Sequence, residues 1–242
     1  MRVCSVSYLN SIPFVYGIEN SHLEVELSTA IPSQCASKLL NDEVDIALVP
    51  VAILPQLKQS NMISPFCIAS NGKVETVCLF SQVPLGQIDT IILDYHSRTS
   101  NELIQQLCRY FWKITPRFVY SNAEFSTHIK GQTAGLIIGD RAYQYRSQFT
   151  YLYDLSEEWK KWTDLPFVFA CWVSNKNIDP VFEEAFSQAL QYGVLHLPQA
   201  ISEKGQLFET SIDKERYLTQ VIDYQLDELK RTALKLFLKG IS

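Results

Sequence analysis

The sequence predicts an α/β protein of two lobes, in which the second lobe is inserted into the first. Three observations support this prediction. Strand-like and helix-like segments alternate along the chain. Residues 44–49 form an almost continuous apolar run, as in a strand buried on both faces, and a second βαβα series begins at Thr90. Strands near residues 76–80 and 167–173 are expected to cross between lobes that close on a ligand by hinge motion.

The first lobe is expected to consist of two pieces, residues 1–78 and 168–242. Its strands are predicted at residues 3–7, 25–27 and 44–49, and a helix is predicted at residues 32–40. From Asp179 onward the chain is expected to be almost entirely helical, because Asp179-Pro180 and Asp213 are typical helix starts.

The second lobe is expected to comprise residues 79–167. The strand at the first crossing is predicted to span residues 73–80. Further strands are predicted at residues 90–93, 117–120, 135–138, 151–155 and 166–173, and helices at 98–111, 123–130 and about 157–162. The alternation of the two element types favours mostly parallel sheets.

Composition excludes several classes of function. The formal net charge is -5 and no run of Lys or Arg stands out, which argues against nucleic-acid binding. No apolar run approaches the roughly 20 residues needed to cross a bilayer. The first strand directly follows Met1-Arg2 without a signal segment, so a cytoplasmic location is expected. The six cysteines lack metal-binding spacing, so we expect no metal site and free thiols packed in the core.

The segment after the first strand is the most informative one. Residues 7–13, with the sequence SYLNSIP, turn directly from a strand into a helix. Asn10 or Ser11 can cap this helix, and Pro13 fits its first turn. Free N–H groups and the positive end of the helix dipole make such a helix start suitable for an anion.

A second helix start has the same character. Ser97, Arg98, Thr99 and Ser100 place three hydroxyls and a guanidinium side by side. A cap needs only one hydroxyl, and Ser97 alone could supply it. The whole set suits a carboxylate, because hydroxyls and Arg bind its oxygens together.

Other candidates lie near these segments. Gly139 and Asp140 follow a predicted strand, and Asp140 either orients a ligand or caps the next helix. Thr76 lies at the first crossing, although a threonine in a strand needs no functional explanation. His96 is either an acid or base or an exposed turn residue. The helix starts together predict a small, negatively charged organic ligand between the lobes.

Six segments occur in an order that identifies a family resemblance. They are SYLNSIP at residues 7–13, DIALVP at 45–50, GKVETV at 72–77, SRTS at 97–100, LIIGD at 136–140 and TDLPFVFA at 163–170. Up to about residue 173 the chain resembles chorismate dehydratase, the first enzyme of the futalosine route to menaquinone. The resemblance implies the two-lobe fold of type II periplasmic binding proteins. It also implies the removal of water from chorismate to give 3-enolpyruvylbenzoate, without a metal or an organic cofactor.

The resemblance also implies roles for individual residues. The active-site asparagine of the family falls on Asn10, and its active-site serine falls on Thr76, which keeps the hydroxyl but adds a methyl group. Residues 51–53 are apolar, whereas relatives tend to have a small hydroxyl residue after Pro50. The residues expected to bind the dicarboxylate substrate are Ser11, Ser97, Arg98, Thr99, Ser100, Gly139 and Asp140.

Other functions remain open at this point. A non-catalytic binding protein for a small carboxylate would have the same fold. The effector domain of a transcription regulator would need a helix-turn-helix segment before the first strand, and none precedes it here. The enzyme that makes dihydroxynaphthoate in the same pathway shares the fold but needs a histidine base, for which only His96 is suitably placed. The sequence does not indicate the oligomeric state.

Overall fold

Most strands lie where the apolar runs predict them. The structure is a computed structural model and describes residues 1–121 and 123–241; Asn122 and Ser242, which the predicted lobes include, lie outside the described residues. The strands are β1 Arg2–Val6, β2 Glu26–Ala30, β3 Ile46–Pro50, β4 Asn61–Ser70, β5 Val77–Ser81, β6 Thr90–Leu93, β7 Arg117–Tyr120, β8 Thr133–Ile138, β9 Tyr151–Asp154, β10 Phe167–Ser174 and β11 Asp223–Gln225.

Helices connect these strands. They are α1 Ile12–Glu19, α2 Pro32–Leu40, α3 Thr99–Gln106, α4 Asp140–Gln144, α5 Leu155–Thr163, α6 Pro180–Leu195, α7 Leu197–Lys204, α8 Lys214–Arg216 and α9 Glu228–Lys239. Short 3₁₀ helices lie at Leu9–Ser11, Val51–Gln56, Leu85–Gln87, Ser126–His128 and Gly205–Leu207, and π-helical turns at Leu107–Trp112 and Tyr217–Val221. Within the described residues, no helix is long and apolar enough to span a bilayer.

The strands form two mixed sheets, one in each lobe. In the described part of the chain their orders are β11-β4-β10-β3-β1-β2 and β7-β6-β8-β5-β9. β1 is parallel to β2 and β3, and β6 is parallel to β7 and β8. β10 and β5 run antiparallel to both of their neighbours. The prediction of mostly parallel sheets is therefore wrong, because these two strands arrive from the other lobe rather than through a crossover helix.

Two segments connect the lobes, residues 71–76 between β4 and β5, and residues 155–166 between β9 and β10. The buried carboxylate of Asp154 accepts hydrogen bonds from backbone amides of both segments. These amides belong to Val74, Glu75, Ser156 and Glu157. One side chain thus holds the two crossings together, while lobe boundaries at residues 78 and 168 stay a prediction.

Some elements differ from the prediction. The strand expected at residues 73–80 begins only at Val77, because Asp154 binds the amides that would start it earlier. The predicted helix at residues 123–130 is wrong: only a single 3₁₀ turn forms, since the Glu124 carboxylate binds the amides of Phe125 and Ser126. Strands β4 and β11 have no predicted counterpart, because β4 contains a proline and β11 is three residues long.

The first helix is held close to α6 by two glycines. A Cβ atom on Gly17 would lie 2.0 Å from the Ala189 carbonyl oxygen, and one on Gly193 would lie 1.7 Å from the Pro13 oxygen. Backbones that approach this closely leave room only for glycine. This contact fixes the position of α1, and with it the preceding turn that carries Asn10.

Candidate active site

A small cavity lies between the lobes, where the carboxyl ends of β1 and β8 meet the start of α3. Ligands bind at such strand ends in α/β folds. Among the described residues, the polar side chains that line it are uncharged: Tyr8, Asn10, Thr76, Ser97, Thr99 and Ser100. Its volume is about 60 Å³, below the roughly 150 Å³ of a cavity that holds benzene. The lobes must therefore move apart to admit a ring-shaped ligand.

The turn after β1 presents Asn10 to this cavity. The Ser11 hydroxyl donates to the carbonyl oxygens of Val6 at 2.5 Å and Tyr8 at 2.9 Å, which stabilises the turn. This hydroxyl is therefore occupied by the backbone, and Ser11 is not part of the cavity lining. The Asn10 Oδ1 atom is buried and has no hydrogen-bond partner within the described residues. A buried acceptor without a partner is costly, so Asn10 is suited to accept a hydrogen bond from a ligand.

Thr76 reaches the same cavity from the first crossing. The preceding residue, Glu75, has a φ of 67°, in the left-handed region that a non-glycine residue rarely adopts. The hydroxyl of Thr76 lies 2.8 Å from the hydroxyl of Tyr217, a fully buried side chain from the C-terminal part of the chain. Burial raises the pKa of Tyr217, and hydrogen bonding to Thr76 partly opposes this rise. The Tyr217 phenol is therefore neutral at physiological pH.

The start of α3 contributes three hydroxyls. The Ser97 hydroxyl accepts a hydrogen bond of 2.9 Å from the Ser100 amide, as a helix cap does. Thr99 connects the lobes, because its hydroxyl donates to the Phe169 carbonyl oxygen at 3.1 Å and accepts from the Ala52 amide at 3.2 Å. The backbone amide of Ala52 thus contacts α3 although residues 51–53 lack a hydroxyl side chain.

Arg98 points away from the cavity. Its guanidinium donates a hydrogen bond of 3.0 Å to the Ser37 hydroxyl on α2, so it connects the lobes at this position. It is not among the cavity-lining residues. A role of Arg98 in binding a ligand stays a prediction.

Tyr8 closes one side of the cavity. Its hydroxyl lies 2.5 Å from Nδ1 of His96. Its ring lies against Gly139, which has a φ of 76° and where a Cβ atom would lie 2.7 Å from the ring. Only glycine combines this backbone conformation with this close contact. Burial and the nearby Arg141 lower the pKa of His96 to about 4, so its imidazole is neutral.

Two acidic residues of the second lobe, Asp94 and Asp140, make polar contacts beside the cavity. The buried Asp94 carboxylate binds the Arg141 guanidinium with both oxygens at 2.5 Å. Asp140 accepts a hydrogen bond of 3.0 Å from the Leu9 amide in the other lobe. Burial raises the pKa of Asp140 to about 6. Asp140 is not among the lining residues, and its carboxylate connects the lobes; a role of Asp140 in binding a ligand stays a prediction.

The structure thus brings together most of the predicted site residues. Of these, the lining includes Asn10, Thr76, Ser97, Thr99, Ser100 and Gly139, but not Ser11, Arg98 or Asp140. Two site residues have no predicted counterpart. Tyr8 lies within the SYLNSIP segment at residues 7–13, so the family resemblance could have pointed to it. No local sequence pattern marks Tyr217.

Comparison with known proteins places the chain in a family. A family model described as menaquinone biosynthesis matches residues 1–242. The chain belongs to this family. It is also 27% identical, over 88% of its length and 85% of the other, to a chorismate dehydratase of Thermus thermophilus. The resemblance recognised in the sequence is thereby confirmed.

Solved structures confirm the two-lobe fold of this menaquinone-biosynthesis family member. A structural-genomics protein of Archaeoglobus fulgidus matches with a TM-score of 0.78 at 16% identity, covering 99% of this chain and 95% of that one. A Candida albicans protein, described as having the generic periplasmic binding protein fold, matches with a TM-score of 0.65 at 14% identity, covering 100% and 89%. At these identities the matches establish the fold alone.

Proposed function

We propose that the protein is a chorismate dehydratase, a carbon–oxygen lyase that converts chorismate to 3-enolpyruvylbenzoate. The observation that carries the proposal is the unpaired, buried Oδ1 of Asn10 beside the hydroxyls of Thr76 and Tyr217. Asn10 and Thr76 are the positions that the family resemblance assigns to the reaction, and they line one cavity although they are distant in sequence. The family membership and the Thermus relative support the same activity.

The reaction needs positioning more than strong acid–base chemistry. The C3–H and C4–O bonds of chorismate break, a C3=C4 double bond completes the aromatic ring, and the proton and hydroxide leave as water. Aromatisation makes this elimination strongly favourable. The protein has to direct the loss of the C4 hydroxyl instead of the enolpyruvyl group, which fixed hydrogen-bond partners can do.

Asn10 and Thr76 can hold the departing hydroxyl. Oδ1 of Asn10 is an acceptor for its hydrogen, and the hydroxyl of Thr76 is a donor to its oxygen. The donor stabilises the negative charge that develops on oxygen as the C4–O bond breaks. Together they orient the group that leaves.

The carboxylates of the substrate fit neutral donors. The hydroxyls of Ser97 and Ser100 line the cavity at the positive end of α3, where an anion is stabilised by the helix dipole. The Thr99 hydroxyl lines it as well, but its proton goes to the Phe169 carbonyl oxygen. The other anion position that the sequence suggests is the helix start at residues 7–13. Since the described lining has no cationic side chain, these neutral groups and the helix dipole supply the attraction for a carboxylate.

No strong base lines the described part of the cavity, so we propose that a substrate carboxylate or water takes the C3 proton. His96 is not among the lining residues, and its Nδ1 is engaged by Tyr8. This arrangement counts against the dihydroxynaphthoate-forming reaction, which needs a histidine base in the cleft.

The test is to incubate the purified protein with chorismate and separate the products by chromatography with mass detection. We expect a protein-dependent product that is lighter by one water and retains the enolpyruvyl group. A heat-denatured sample is the control for breakdown of chorismate that does not depend on the folded protein. Unchanged chorismate that raises the melting temperature would support a binding protein instead. If the protein neither converts chorismate nor is stabilised by it, the proposal is wrong.

A further inference from the structure

One side chain from the C-terminal part of the chain, Tyr217, contacts Thr76, a residue assigned to the reaction. Tyr217 begins a π-helical turn and is fully buried, and its hydroxyl lies 2.8 Å from Oγ1 of Thr76, 141 positions earlier in the chain. Its ring does not line the cavity, so it contacts a ligand only through its neighbours. A phenol placed on the hydroxyl of a reacting residue can determine where the proton of that hydroxyl points.

We propose that Tyr217 is a positioning residue that turns the proton of the Thr76 hydroxyl toward the cavity. This inference rests on the proposed function, since it concerns how Thr76 donates to the departing hydroxyl of the substrate. It extends the site to a segment that carries none of the family motifs recognised in the sequence.

The count of donors and acceptors determines the direction of the hydrogen bond. Each of the two hydroxyls has one proton. Oγ1 of Thr76 is the only hydrogen-bond partner of the fully buried Tyr217 hydroxyl among the described residues, so the phenol proton points to this oxygen.

The Tyr217 proton is then directed to Oγ1 of Thr76, whose own proton is released for a ligand. The only other partner of Oγ1 in the described residues is the Val74 carbonyl oxygen at 3.4 Å, a long contact. The hydrogen-bonded pair of Tyr217 and Thr76 therefore presents one donor to the cavity. Asn10 Oδ1 presents one acceptor beside it.

Arg216, the residue before Tyr217, stabilises this arrangement. Arg216 donates to both carboxylate oxygens of Glu75, at 3.0 and 2.6 Å. Arg146 binds the Glu75 carbonyl oxygen at 3.1 Å. Glu75 is the residue in the left-handed conformation directly before Thr76, so these contacts hold it in a conformation it would otherwise avoid. The Arg216–Glu75 ion pair and the Tyr217–Thr76 hydrogen bond thus join the same two segments at adjacent residues.

The threonine at this position gains from such a partner. A β-branched side chain has few χ1 rotamers, so its hydroxyl lies in one place, but the O–H bond can still rotate. Tyr217 fixes that rotation by occupying the lone pair on its side. This explains how a threonine can stand where the family resemblance expects a serine.

The experiment compares Tyr217→Phe with Tyr224→Phe. Tyr224 is a buried tyrosine nearby in sequence whose hydroxyl has no partner among the described residues, so its removal is the matched control. We expect Tyr217→Phe to lower kcat for chorismate about tenfold, as for the loss of one hydrogen bond to a reacting group, with KM within about twofold. Tyr224→Phe should leave both constants within about twofold.

A double-mutant cycle separates positioning from a merely structural effect. If Tyr217 acts through the Thr76 hydroxyl, Tyr217→Phe should change the residual kcat of Thr76→Val less than about twofold. Losses that multiply in the double variant would overturn the proposal. If Tyr217→Phe does not fold, as judged by circular dichroism, Arg216→Gln replaces it, at a partly exposed position. That variant should lower kcat about three- to fivefold with KM unchanged, and unchanged kcat would overturn the proposal.

The two proposals fail differently. If the unaltered protein does not convert chorismate, the proposed function is wrong and the role of Tyr217 in it is lost as well. If the unaltered protein converts chorismate and Tyr217→Phe does so equally fast, only the role of Tyr217 is wrong.

Discussion

Two polar clusters flank the cavity, and they differ in how completely their hydrogen bonds are made. The paired cluster consists of Tyr8, Asp94, His96, Asp140 and Arg141. Its Asp94 carboxylate, fully buried, accepts hydrogen bonds from Arg141 and from the amides of His96 and Ile138. Tyr8 pairs with His96, and Asp140 pairs with the Leu9 amide across the cleft. Its side chains thus hold the two lobes to each other.

The open cluster consists of Asn10, Thr76 and Tyr217. Its hydroxyls pair with each other, but Oδ1 of Asn10 has no partner among the described residues. A buried polar group without a partner destabilises a folded chain, whereas a satisfied network rigidifies it. The paired cluster therefore stabilises the contact between the lobes, whereas the open cluster has an acceptor available to a ligand. Substitutions in the paired cluster should therefore act on stability first, and those in the open cluster on turnover.

The largest effect on stability is expected for Asp94→Ala. The change removes the acceptor of the Arg141 guanidinium and of the amides of His96 and Ile138, which should lower the free energy of unfolding by about 3–5 kcal/mol. Urea unfolding followed by circular dichroism measures it. Asp89→Ala, at an exposed aspartate five positions earlier, is the control and should change it by less than about 0.5 kcal/mol. Equal effects of the two substitutions would show that the paired cluster does not stabilise the fold.

The next effect concerns the contact between Tyr8 and the second lobe. Gly139→Ala adds a Cβ atom 2.7 Å from the Tyr8 ring at a φ of 76°. We expect it to lower the free energy of unfolding by about 2 kcal/mol, because strain and crowding act together. Gly86→Ala is the matched control, since its Cβ would meet nothing within 4 Å. Equal melting temperatures for the two variants would argue against the close packing of Tyr8 on Gly139.

A smaller effect is the pH dependence of stability, which has opposite signs for Asp140 and His96 of the paired cluster. Asp140 has a raised pKa of about 6 against an ordinary 3.8, so the folded protein binds the extra proton between these values and loses stability as pH rises. His96 has a lowered pKa of about 4 against an ordinary 6.5, so the unfolded chain binds the extra proton and stability increases with pH.

Substitution of these two residues should change the pH dependence of the free energy of unfolding in opposite directions. Relative to the unaltered protein, Asp140→Asn should gain stability as pH rises from about 4 to 6, because it removes a carboxylate that is costly to ionise. His96→Gln should lose relative stability over the range from about 4 to 6.5. Urea unfolding at a series of pH values measures both. Parallel profiles for the two variants would contradict the assigned pKa directions.

Local sequence patterns predict the parts of the site that lie at strand and helix ends. The turn at Asn10 and the hydroxyls before α3 follow from caps and strand ends, which involve neighbours in sequence. Local sequence patterns do not predict the direction in which a long side chain points. Arg98 is long enough to turn either into the cavity or toward Ser37, and only the position of α2 in the folded chain decides for Ser37.

Long-range pairing accounts for what the sequence does not predict. The Tyr217–Thr76 contact joins residues 141 positions apart, and a buried tyrosine in a π-helical turn has no local signature. Strand β11 pairs at the sheet edge with only three residues, too few for a period-two pattern. The mixed direction of the sheets likewise depends on which lobe β5 and β10 enter from, and a list of elements does not contain that information.

The role of the open cluster is tested most directly by the turnover of chorismate by Asn10→Ala. This change removes the unpaired acceptor of the open cluster, and we expect kcat to fall by about 100-fold or more, as for the loss of one fixed partner of a reacting group. Asn20→Ala, at an exposed asparagine at the end of α1, is the matched control and should retain full turnover. The melting temperature of both should stay close to that of the unaltered protein. Full turnover by Asn10→Ala would contradict the claim that this cluster holds the departing hydroxyl.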